Sequence, residues 1–218
     1  MQLPLVFRTW GGRRDGAGRK PSPGRRSVPH TTRPAHDPRT PLHVTLRATP
    51  TVPSLRGADV FPAVRAAIAA ASTSTFRVLH FSVQADHVHL VAESDGSPSR
   101  GCQGLAIRLA RAVNRALRRR GAVWADRYHA RALVTPREMR HALAYVLNNW
   151  RKHVPGARGV DPRSSGPWFR GWRRPLERRS AACPVATATT WLARVGWLRH
   201  GRIDVDDGPR PPRGKSRT

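Results

Sequence analysis

The chain has 218 residues, 39% of them apolar, and a formal net charge of +27. That length suits one domain with a real core plus appendages, and a charge of that size points to a polyanionic partner, nucleic acid before any other. The two cysteines, Cys102 and Cys183, lie far apart without a CxxC, which argues against a zinc ribbon and a disulfide scaffold.

Residues 1–40 are rich in Gly, Pro and Arg and hold too few apolar side chains to bury anything, so a disordered basic arm is expected there. All but three of the 40 basic residues of the chain are arginine, which favours bidentate phosphate contacts and stacking. A GC-rich gene would inflate arginine as well, but the charge is physical either way. No apolar run reaches membrane-spanning length, and the N-terminus lacks the apolar stretch of a signal peptide. A soluble cytoplasmic, nucleoid-associated protein is expected.

Strand-like alternation begins at "PLHVTLRAT" (41–49), with Val44 and Leu46 on one side and His43, Thr45 and Arg47 on the other. "ADVFPAVRAAIAAA" (58–71) reads as a helix carrying Pro62 in its first turns. Two strands follow, "FRVLHFSVQ" (76–84) and "HVHLVAES" (87–94), whose very short link makes them antiparallel neighbours. "SRGCQGLAIRLARAVNRALRRR" (99–120) is helical, and "VWADRYHARALV" (123–134) reads as a further strand. "TPREMRHALAYVLNNWRKH" (135–153) has the strongest helix signals, with Thr135 as N-cap, Pro136 behind it and Glu138 closing a capping box. The order β-α-β-β-α-β-α predicts an α+β, ferredoxin-like split βαβ fold, a plaited antiparallel sheet with its helices on one face. The other face would then be free for a ligand.

Residues two apart on a strand share a face, so His87 and His89 project together while Val88 and Leu90 point to the core. Such a pair either chelates a divalent ion or lines the wet face of a sheet, and the spacing alone leaves both readings open. On the last helix His141, Tyr145 and Asn149 recur every four residues and share one side. A phenol and a carboxamide one turn apart are what a metal-dependent attack on a phosphodiester needs, provided a cation polarises the phosphate or stabilises the phenolate.

"DHVHL" resembles the His-hydrophobic-His signature of HUH endonucleases, and "ALAYVLNNWRKH" resembles the tyrosine helix of single-tyrosine transposases. "WGGRRDGAGRKP", "PLHVTLR", "ADRYHARALVTPREMRHALAYVLNNWRKH" and "GPWFRGW" are similar to the REP-associated tyrosine transposase branch, so the resemblance spans nearly the whole chain. It implies that residues 41–154 form the transposase domain, that His87 and His89 bind Mg²⁺ or Mn²⁺, and that Tyr145 is the nucleophile. Asn149 matches the position of a further metal ligand, where related transposases commonly carry the longer glutamine. The implied reaction cuts single-stranded DNA near a palindromic hairpin, leaving a 5′-phosphotyrosine link and a free 3′-OH. Tyr128, the only other tyrosine, is the rival nucleophile.

Arg127, Arg131 and Arg151 are expected to contact DNA phosphates. Trp168 and Trp172 are expected to stack on bases, in a Trp/Arg-rich appendage over 155–203, where Trp191 and Trp197 can equally pack on the main domain. Residues 204–218 are expected to be disordered. Single-stranded or hairpin DNA is the expected partner of a monomer or homodimer. The alternatives are a non-catalytic nucleic-acid binder, such as a domesticated transposase or RNA chaperone, and a small zinc hydrolase, for which no HExxH is present.

Overall fold

The computed structural model describes residues 35–154, 156–177 and 181–207. Most of the expected basic arm, residues 1–34, and the last part of the expected tail, 208–218, lie outside them. The elements run β1 (Leu42–Arg47), α1 (Phe61–Ala69), β2 (Phe76–Val83), β3 (His87–Ser94), α2 (Pro98–Ala116), β4 (His129–Ala132) and α3 (Pro136–Asn148), and a short α4 (Trp191–Arg194) follows. The four strands pair antiparallel in the order β2-β3-β1-β4, the split βαβ arrangement of an α+β domain.

One face of the sheet is apolar because its strands alternate. Leu42, Val44 and Leu46 of β1, Val88, Leu90 and Ala92 of β3, and Phe81 and Val83 of β2 join Val64 and Ile68 of α1 and Leu105, Leu109 and Val113 of α2 in one core. A bulge between Val78 and His80 shifts the register of β2, so both Val78 and Phe81 reach this core while Leu79 points away from it.

Helix α3 corrects the expectation that all helices share one face. It lies on the opposite side of the sheet, where Met139, Leu143, Val146 and Leu147 meet Leu79 and Val91 in a second core. The physical reason is that this face is polar at one end only. His87 and His89 are followed along β3 by Val91, and an exposed Val91 beside Leu79 demands cover. The capping box expected at Thr135 and Glu138 starts α3, with Glu138 N donating to Thr135 Oγ1 at 3.1 Å. Beyond Asn148 the helix tightens to a 3₁₀ turn, Asn149–Lys152, rather than running on to 153.

The strand expected over 123–134 is shorter, His129–Ala132, joined upstream by an isolated bridge from Trp124 to Ala48. The segment after α3 is no loose appendage. It runs along the β2 edge, where Val83 N donates to Arg163 O and Ser165 N to Phe81 O, satisfying groups an open edge would expose. Phe169, Trp172, Trp197 and Ile203 complete the second core. Residues 204–207, expected to be disordered, instead strap α3: Asn148 Nδ2 donates to the carbonyls of Asp204 and Asp207, and Arg140 pairs with Asp207 at 2.8 Å. The arginines facing this acidic run give it partners that composition alone did not reveal.

Two buried carboxylates tie the post-α3 segment down. Glu93 accepts from Arg77 Nε and from the backbone and hydroxyl groups of Thr189 and Thr190, at the start of α4. Asp161, wholly buried, takes both guanidinium nitrogens of Arg56 at 2.8 Å. Removing one partner of such a pair strands the other. Asp161→Ala is therefore expected to lower unfolding stability by about 3 kcal/mol, read as a lower midpoint in urea with an unchanged slope.

Candidate nucleophile and metal site

The polar end of the second sheet face brings together residues from three elements. His43 and Thr45 come from β1, His87 and His89 from β3, and the register sets Thr45 directly opposite His89. Tyr145 and Asn149 descend onto them from α3 and its 3₁₀ extension. Tyr145 Oη lies 3.4 Å from His89 Nε2, and Asn149 Nδ2 lies 3.4 Å from His87 Nε2. The two imidazoles meet edge to face with centroids 4.6 Å apart.

Each histidine is oriented through its other nitrogen. His87 Nδ1 donates to Asp86 Oδ1 at 2.6 Å, which turns Nε2 toward Asn149. Asp86 also accepts from Arg47 at 3.1 Å. Burial opposes the Asp86 charge, but the hydrogen bonds from His87 and Arg47 outweigh it and hold the carboxyl below its ordinary range. His89 Nδ1 pairs with Thr45 Oγ1 at 3.0 Å. Burial first, and the neighbouring His43, His87, His153 and Lys152 second, push the His89 pKa down to about 2. His89 is thus neutral at any physiological pH, the state in which an imidazole binds a metal.

The donors suit a small divalent cation. Among the described residues no three His, Cys, Asp or Glu side chains are grouped to hold a metal. Asn149 sets an amide beside His87. It is fully buried, and its Oδ1 has no hydrogen-bond partner. Rotating the amide half a turn exchanges oxygen and nitrogen and sets Oδ1 facing His87 Nε2. An orphaned buried oxygen next to two oriented imidazoles fits a cation better than it fits a packed polar core.

The phenol is half-buried, and burial raises its pKa. Lys152 Nζ stands 4.5 Å from the centre of the Tyr145 ring. Tyr128 lies elsewhere: it is buried in the α1/α2 core, on the far side of the sheet. His141, one turn before Tyr145, is exposed.

The residues expected to touch DNA divide. Arg127 is exposed, and Arg131 is exposed and paired with Glu138 at 3.0 Å. Trp168 is half-buried at the surface, its Nε1 donating to Ala181 O at 3.0 Å. Trp172 is corrected to a core residue: it is 2% exposed, and its Nε1 donates to Gly166 O at 2.9 Å, so it offers no face to a base. Arg151 is likewise engaged by Asp206 at 2.8 Å and only 18% exposed, which makes it a strut for the strap. Trp197 packs and Trp191 is half-exposed under Arg199.

Sequence reasoning missed His43, Thr45, Asp86, Lys152 and His153 as parts of the cluster. His43 stacks 5.3 Å from His89 and 5.6 Å from Tyr145, and His153 lies 5.2 Å from His87. A signal existed for three of them. His43 and Thr45 alternate on the polar side of β1, and His153 continues the four-residue spacing of Tyr145 and Asn149.

No protein-family model matches the chain, and no curated protein matches it. Among solved structures the chain is similar to one described as a REP-associated tyrosine transposase bound to a REP hairpin, with 18% identity, a TM-score of 0.48, and coverage of 58% of this chain and 74% of that one.

Burial first, then Arg131 and His129, depress His43 to about 4. A native pKa below the unfolded value of about 6.5 means that the unfolded chain binds more protons between those limits, so stability is present above pH 6.5 and lost as pH falls toward 4. His43 alone is expected to cost about 2 kcal/mol between pH 7 and pH 5. Urea unfolding at the two pH values should show His43→Gln losing less stability on acidification than the unsubstituted chain.

Proposed function

We propose that the protein is a metal-dependent single-stranded DNA endonuclease and strand transferase that forms a 5′-phosphotyrosine intermediate at hairpin sites. The observation that carries this reading is the meeting of Tyr145 Oη with His89 Nε2 while Asn149 reaches His87 Nε2. The net charge of +27 supplies the attraction for a polyanionic substrate.

His87, His89 and Asn149 would hold Mg²⁺ or Mn²⁺, which when bound polarises the scissile phosphate and neutralises charge on its oxygens. Asp86 and Thr45 orient the two imidazoles from behind. Tyr145 attacks phosphorus, a P–O bond to its phenol forms, and the P–O3′ bond breaks. The departing oxygen takes up a proton and leaves as a 3′-OH, while the phenolic proton goes to water. Lys152 lowers the cost of negative charge on the phenol. One phosphoester replaces another, so the 3′-OH can reverse the attack and rejoin or transfer a strand without an external energy source.

Incubating the protein with a labelled hairpin-bearing oligonucleotide and Mn²⁺, then denaturing, should trap a labelled covalent adduct. Tyr145→Phe should abolish the adduct and Tyr128→Phe should leave it. Salt-sensitive binding without any adduct, at every Mn²⁺ or Mg²⁺ concentration, overturns the enzyme in favour of a non-catalytic binder. Asp86→Asn, which leaves the proposed ligands in place, should raise the Mn²⁺ concentration for half-maximal adduct roughly 10-fold or more.

A further inference from the structure

A different part of the molecule carries a row of arginines that the proposed chemistry does not use. Helix α2 buries Cys102, Leu105, Leu109 and Val113 against the sheet. Its outer side presents Arg100, Arg108, Arg111 and Arg115, with Arg118 just beyond its end, all exposed. At 3.6 residues per turn the four on the helix fall within an arc of about 80°, and Arg100 to Arg115 spans about 22 Å of axis. No acidic residue occurs between Asp95 and Asp126.

Three observations make this row more than a solvated helix face. The carboxylates elsewhere are taken up by other arginines: Asp86 by Arg47, Glu93 and Asp95 by Arg77, Glu138 by Arg131, Asp161 by Arg56 and Asp207 by Arg140. Among the described residues no carboxylate pairs with the arginines of α2. The helix dipole accounts for cations at Arg115 and Arg118, but Arg100 sits in the first turn, where a cation is unfavourable. The arginines are also not interleaved with exposed aromatic rings. The large apolar side chain exposed on α2 is Ile107, and no aromatic residue lies within the helix.

We propose that the outer face of α2 is a second DNA-binding surface, one that lies along the phosphate backbone of a duplex. Single-strand surfaces add aromatic platforms for unstacked bases. A straight row of guanidinium groups without such rings matches regularly spaced phosphates, about 6 of them along one strand over 22 Å. The face lies on the opposite side of the sheet from Tyr145, so a duplex held there leaves the candidate site open to single-stranded DNA. The proposal stands independently of the nuclease reading, because it concerns binding alone.

The test compares the full chain with the triple variant R108Q/R111Q/R115Q and with a control, R137Q/R170Q/R194Q, whose arginines are also exposed. Glutamine keeps helix propensity and neutralises charge. Affinity for a 20-base-pair blunt DNA duplex is measured against salt concentration, and matched far-UV circular dichroism checks folding. The α2 variant should lose roughly 100-fold in duplex affinity near 0.1 M salt, with the log–log slope reduced by about 3, and should lose clearly less on an unstructured oligonucleotide of equal length. An unchanged duplex slope, an equal loss on single strands, or an equal loss in the control triple overturns the proposal. So does a variant that keeps its duplex affinity while losing binding to anionic phospholipid vesicles.

Discussion

The structure depends on how one face of a four-stranded sheet is covered. Residues projecting from that face change character along β3, from His87 and His89 to Val91 and Glu93, and one helix must cover both kinds. Helix α3 does so by burying Met139, Leu143, Val146 and Leu147 on the apolar part while carrying Tyr145 toward the polar part. The hydrophobic contact therefore sets the position of the chemical one. If α3 shifted by one residue along the sheet, the phenol would leave His89 and the apolar stripe would leave Leu79 and Val91 together.

The rest of the chain reinforces that placement. The strap at 204–207 holds α3 through Arg140 and, at its far end, through Asn148, next to where Asn149 enters the cluster. The Arg56–Asp161 pair fastens the segment after the helix to the loop before α1. Buried ion pairs are weak sources of net stability, but each fixes a relative position that apolar packing would leave more degenerate. The price of this arrangement is a group of imidazoles kept neutral by burial, with His89 held near 2 and His43 near 4.

Charge divides the molecule in another way. Beside the cluster Arg47 is paired with Asp86, and the local chemistry is that of imidazoles, an amide and a phenol. On α2 the guanidinium groups face solvent with no carboxylate paired to them among the described residues. A protein of +27 can thus combine a site whose electrostatics are finely balanced with a surface whose attraction is long-ranged and sensitive to salt.

Local pattern in the chain was sufficient for the element order, for the shared face of His87 and His89, for the capping box of α3 and for the shared side of Tyr145 and Asn149, because these rest on periods of 2 and 3.6 and on short-range hydrogen bonds. Tertiary structure alone decided that α3 crosses to the second face, that Trp172 and Arg151 turn inward, and that the acidic run after Ile203 is ordered. Each of those depends on a partner distant in the chain: Phe169 and Trp197 for the indole, Asp206 for the guanidinium, Arg140 and Asn148 for the strap. Periodicity reports which side of an element is apolar, but not which of two faces that side will meet.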